Sequence, residues 1–147
     1  MRRVIASFAA AVSAGVLAAP PPSTGRAQLN YTLNCMGCHG ADGTGAPGRI
    51  PAFPGSIGRF MRLPEGRAYL MHVPGASNSM LSDADLADVL NWLLIRFGSD
   101  DLPNDVAWFT AEDLSRGRRP AITAVRAERE AIVSKLAALG PAPPSEY

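Results

Sequence analysis

Residues 34–40 read NCMGCHG, a stretch that holds both cysteines of the chain and one of its two histidines. Two thiols spaced by two residues, with an imidazole directly after the second, force three reactive side chains onto one short piece of backbone. Any fold for this chain has to be built around that point. A disulfide there is permitted in an exported protein. A redox dithiol instead belongs between an apolar strand and a helix. The preceding NYTLN is polar, the following HGADGTG is a poor helix start, and no strand-helix-strand unit surrounds them. A structural zinc ion would need a fourth ligand beside Cys35, Cys38 and His39, and only His72 is left to supply it.

The reading that gives every residue a role is covalent haem attachment. Each thiol adds to one vinyl group of the macrocycle, and the adjacent imidazole is held beneath the iron as an axial ligand. Cys-x-x-Cys-His is a known attachment signal of this kind. Haem also answers a size problem, because residues 28–98 are a short stretch from which to build a core. A porphyrin adds a large apolar body at the centre. One covalent haem per chain is therefore expected.

The N-terminal MRRVIASFAAAVSAGVLAAP has a basic start at Arg2 and Arg3, an apolar run from Val4 to Ala19, and small residues after it. This is the form of a secretory signal peptide, assigned to residues 1–19, with cleavage placed between 18 and 27. The later sequence has no run long and apolar enough for a bilayer span, so a periplasmic protein without a transmembrane segment is expected after signal removal. Loss of residues 1–27 removes Arg2, Arg3 and Arg26 and leaves 11 basic against 13 acidic residues. A nearly neutral chain has no general attraction to nucleic acid.

Helical spacing dominates the remainder of the chain. A short helix is expected over Gln28 to Asn34, an ordered Gly/Pro-rich loop over 40–58, a helix near Pro64 to Met71, and a loop at VPGASNSM. The clearest helix is SDADLADVLNWLLIRFG. Ser82 and Asp85 form its cap pattern, Leu86, Val89, Leu90, Leu93, Leu94 and Phe97 recur on one face, and Gly98 stops it. Thr110 and Asp113 repeat the cap signature. Pro120 then opens a longer helix over 121–139, with Ile122, Val125, Arg129, Ile132, Val133, Leu136 and Leu139 on one face and Arg129 as its single charged interruption. No stretch alternates like a strand. The fold class is mostly α: a haem domain at 28–98, a helical extension at 99–140 and a disordered tail at 141–147.

Over residues 27–98 the chain resembles class I cytochromes c, on the strength of CMGCHGADGTGAPGRIP. The resemblance implies a helical fold around one haem, thioethers at Cys35 and Cys38, and His39 as proximal ligand. It also implies that the Pro51 carbonyl accepts the second ring proton of His39. Tyr31 and Trp92 match an aromatic pair that locks the N- and C-terminal helices together, although the same pair would serve as plain core aromatics. Ala27 stands where the family usually has glycine. The sixth ligand implied is Met80, in the loop before the capped helix, without the proline that often follows it. Met61, Met71 and His72 are its rivals.

GTGAPG at 43–48 matches a dinucleotide fingerprint formally, but lacks the flanking strand and helix. Arg49, Arg59, Arg62 and Arg67 are candidates for haem carboxylates or an acidic partner, and equally for a plain solvated surface, while Arg116, Arg118 and Arg119 read as surface residues. The extension helix packs on the domain or serves as a docking arm. No catalytic constellation is visible. The function expected is a periplasmic electron carrier passing one electron from a dehydrogenase to a terminal oxidase or another cytochrome. The alternative is a haem enzyme or a gas or peroxide sensor with an open sixth position.

Overall fold

The computed structural model describes residues 24–141 and residue 143. The signal segment at 1–19 and most of the tail at 141–147 lie outside the described residues. Among the described residues the chain is helical, and its only β feature is an isolated bridge between Ala46 and Ile50. Helix α1 spans Thr24–Asn34 and α2 spans Met36–His39. They are followed by α3 (Ile57–Phe60), α4 (Pro64–His72), α5 (Pro74–Ser77) and α6 (Asp83–Gly98). A single 3-10 turn at Ser99–Asp101 leads toward α7 (Ala111–Gly117) and α8 (Val125–Ala137).

Helix α6 is the central post. Ser82 Oγ accepts from the Asp85 amide at 3.1 Å, satisfying one of the otherwise orphaned N–H groups of the first turn. The apolar face delivers Leu86, Val89, Leu90, Leu93 and Leu94 to the core. Fully burying one such side chain contributes about 1.5–3 kcal/mol. Helix α1 lies against this post through Ala27, which is completely buried, and Tyr31, whose ring centroid is 5.2 Å from that of Trp92. Signal cleavage after Ala27 would divide α1. At the other end of α6, Gly98 meets Gly58 of α3 so closely that a Cβ on Gly58 would sit 2.3 Å from the Gly98 carbonyl oxygen.

The region after Gly98 shares the core of the preceding helices. Phe109 and Leu114 are buried in one cluster with Tyr31, Leu90 and Trp92. Ile132, Val133 and Leu136 of α8 form a second cluster with Phe60 and Tyr69. Arg67 fastens the two regions: it donates to the carbonyls of Ala107 and Trp108 at 3.0 and 3.1 Å, and pairs with Asp113 at 2.8 Å. Arg59 is held by Asp101 at 2.9 Å, and Arg62 donates to the Asp101 carbonyl. These three arginines, expected at the haem or a partner, instead bind the chain to itself. Arg118 is also spoken for, pairing with Asp83 at 2.9 Å.

The last helix starts later than its sequence pattern implies, at Val125 rather than just after Pro120. Ile122 donates its amide to the His72 carbonyl at 3.0 Å, which ties the incoming segment to α4. Ala124, at φ −95° and ψ 48°, is not yet helical. Conversely, VPGASNSM contains the single-turn helix α5, started by Pro74 in a tolerated first-turn position.

Asp113 links the capping box of α7 to the Arg67 latch. Burial raises its carboxyl pKa, but hydrogen bonds from Thr110 and the Arg67 guanidinium outweigh this and hold it below the ordinary aspartate value. A depressed folded pKa contributes stability above the unfolded value, about 3.9, and loses it as pH falls through the folded value. Asp113→Asn is therefore expected to flatten the fall in melting temperature below about pH 4, measured by thermal melts across that range.

Candidate functional site

Helix α2 is a single turn, and its purpose is placement. Cys35 precedes it, Cys38 lies within it, and His39 ends it, with the His39 amide donating to the Cys35 carbonyl at 3.1 Å. Gly40 follows with φ 76°, a left-handed conformation that lets the chain turn away at once. The Tyr31 hydroxyl donates to the Gly40 carbonyl and ties this turn to α1. Burial raises the Tyr31 pKa, with further contributions from Cys35 and Asp42.

Cys35, Cys38 and His39 border a cavity of about 860 Å³. Pro51 and Phe53 of the Gly/Pro-rich loop line it, as do Phe60, Leu70 and Val73, and the α6 residues Leu86, Val89, Leu90 and Leu93. Pockets for small cofactors typically hold about 300–1,000 Å³ and are mainly apolar with a few polar groups. Cys35 is half-buried and Cys38 exposed, and both thiols are free. Burial raises the Cys35 pKa, with the neighbouring Cys38 adding to it. Burial lowers the His39 pKa, favouring the neutral imidazole that a metal requires.

His39 stacks on Phe53 with ring centroids 4.1 Å apart, and its Nδ1 is buried without a hydrogen-bond partner. The expected bond from His39 to the Pro51 carbonyl is thus not formed. That carbonyl lies against Gly45, where an added Cβ would come within 2.9 Å of its oxygen, and Phe53 covers the imidazole face. Pro51 is nevertheless part of the cavity wall.

Met80 departs from expectation. Its side chain is 95% exposed, and among the described residues no methionine lines the cavity. It sits in the short link between α5, which ends at Ser77, and the α6 cap at Ser82. The rivals are no nearer. Met61 and Met71 are packed in the main core, and His72 Nε2 faces the Gly117 carbonyl. Ferric and ferrous scans of Met80→Ala test the sixth ligand: an unchanged spectrum removes Met80 from the iron, and loss of a six-coordinate spectrum shows that haem binding turns this loop inward. His72 is thereby also lost to a zinc site, and no group of three or more metal-ligating side chains occurs among the described residues.

Sequence reasoning missed the contribution of the last helix. Thr123, Val125, Arg126, Arg129 and Glu130 all line the same cavity. The one available signal was Arg129 itself, a charge in an otherwise apolar stripe.

The residues fit a covalent haem. Two thiols and an imidazole nitrogen lacking a partner stand at the edge of an apolar cavity of suitable size. The family model for cytochrome c matches residues 25–95. Cytochrome c-552 of Thermus thermophilus is 29% identical over 116 aligned residues, which cover 65% of this chain and 88% of that protein. A second Thermus thermophilus cytochrome c-552 shows the same identity and is covered over 78% of its length. No solved structure matches. With the thiols and imidazole at the cavity edge and the family match spanning α1 to α6, residues 25–95 form a cytochrome c domain of class I.

Proposed function

We propose that the chain is a periplasmic electron carrier holding one haem through Cys35 and Cys38, with His39 as axial ligand. The observation that carries this reading is the delivery of all three side chains by one helical turn to the edge of one apolar cavity. Bound haem supplies a one-electron ferrous/ferric couple. The chain's own residues do the rest. Tyr31 fixes the attachment turn, Phe53 orients the imidazole, and the leucines of α6 keep water from the cavity wall. Transient docking through a small interface suits exchange with a dehydrogenase on one side and an oxidase or another cytochrome on the other.

The test is absorption spectroscopy of the mature protein, coexpressed with a haem-attachment system, combined with a redox titration. The carrier reading, with Met80 drawn to the iron as sixth ligand once haem is bound, expects covalent haem, a reversible one-electron titration, and a ferrous spectrum unchanged by carbon monoxide. One observation favours a second reading, a gas or peroxide sensor or haem enzyme with an open sixth position: the exposure of Met80 and the lack of any methionine in the described wall. Ready uptake of carbon monoxide by the ferrous protein would put that reading first.

A further inference from the structure

The cavity has a wall that the family match does not reach. Residues 123–127, together with Arg129 and Glu130, line it, whereas the matched region ends at residue 95. Arg129 is 2% exposed, donates to Ser56 Oγ at 3.3 Å, and lies with its guanidinium carbon 5.5 Å from the Phe60 ring centre. Ser56 and Phe60 line the cavity too. Arg126 is exposed and donates to the Gly48 carbonyl at 3.3 Å, next to the exposed Arg49. The wall thus carries the guanidinium groups of Arg49, Arg126 and Arg129 against one carboxylate, Glu130.

An apolar cavity with this surplus of guanidinium groups is built for an anionic guest. An arginine in a buried stripe between Val125 and Ile132 has to be desolvated, which an isoleucine or leucine there would not. Guanidinium is also the cation best matched to a carboxylate, through paired, parallel N–H donors. A docking-arm role for α8 fits poorly, because its apolar face is already covered by Phe60 and Tyr69 and Lys135 pairs with Glu65 at 2.6 Å.

We propose that the C-terminal extension is part of the cofactor site, with Arg129 inside the cavity and Arg126 and Arg49 at its rim receiving the two carboxylates of the porphyrin. This rests on the haem reading above. The extension thereby gains a definite role. Helix α8 closes the cavity after attachment at Cys35 and Cys38, and its arginines neutralise the only charges that the macrocycle edge brings in. Positive charge close to the iron disfavours the oxidised state, so these side chains also hold the reduction potential up.

The experiment uses the full chain coexpressed with a haem-attachment system. Wild type, Arg129→Gln, Arg129→Lys and the rim variant Arg126→Gln are compared for haem retained on a denaturing gel, for midpoint potential, and for the propionate bending band in the resonance Raman spectrum. Arg129→Gln is expected to keep its covalent haem while its potential falls and the propionate band shifts. Arg129→Lys should recover most of the potential, and Arg126→Gln should show a smaller shift of the same sign. Covalent haem with potential and band unchanged in both glutamine variants would overturn the proposal and reduce the arginines to packing. If Arg129→Gln does not accumulate, Arg126→Gln combined with Arg49→Gln, both at exposed positions, is read by the same two signals. Absence of covalent haem from wild type would overturn the haem reading itself, and this inference with it.

Discussion

Replacing Cys35 and Cys38 together with serine is expected to abolish the haem stain of the mature protein on a denaturing gel. Serine keeps the size of the side chain but cannot form the thioether, while the remaining site residues are untouched. A single variant, Cys35→Ser or Cys38→Ser, retains one attachment and is expected to stain with an altered haemochrome spectrum, because one vinyl group survives. The double variant should also lose its fold. Without its guest the apolar wall of the cavity, of about 860 Å³, is left facing water or collapses, and a small domain has only about 5–15 kcal/mol to lose. The chain should therefore lose its cooperative near-ultraviolet melt while keeping part of its helicity. Haem stain persisting in the double variant would mean that the thiols are not the anchor.

How well the residues announced this arrangement depended on whether their partners were local. Cys35, Cys38 and His39 constrain one another within a turn, so their convergence follows from spacing alone. The start of α6 was equally plain, because Ser82 and Asp85 interact across three residues and need nothing else. Tyr31 and Trp92 met as a family likeness implied, although their contact spans much of the chain. Elsewhere distant partners took over. Arg59, Arg62 and Arg67 looked available for the haem, but Asp101, Ala107 and Asp113 claim them from regions about 40 residues away. The segment 121–124 had a helical pattern, yet it is not helical, and the Ile122 amide is taken by the distant His72 carbonyl. Arg129 was visible as an anomaly in a stripe, while its partner Ser56 lies 73 residues earlier and no periodicity could name it.

Asn91→Leu is expected to lower the melting temperature by about 10 °C while leaving covalent haem in place. Asn91 sits on the buried face of α6, where the pattern alone would place a leucine. Its amide donates to the Phe109 carbonyl at 2.8 Å and accepts from the Phe109 amide at 2.9 Å, so one side chain satisfies both backbone groups of a buried residue. Leucine would strand them. Each orphaned group costs about 1–3 kcal/mol, and the added apolar area returns only part of that, leaving a loss of about 2–4 kcal/mol. The damage should be local first. Phe109 anchors the approach to α7 and carries the Arg67 guanidinium 4.6 Å above its ring, so its release loosens the Arg67–Asp113 latch as well. Hydrogen exchange should accordingly speed up at Phe109 and Leu114 before it does at Leu90 or Leu93 on the cavity side of α6. A change in melting temperature below about 2 °C would show that water takes over both hydrogen bonds. The Asn91 clasp would then be dispensable, and the extension would be held by its buried Phe109 and Leu114, the Arg67 bonds and the contacts of α8 with Phe60 and Tyr69.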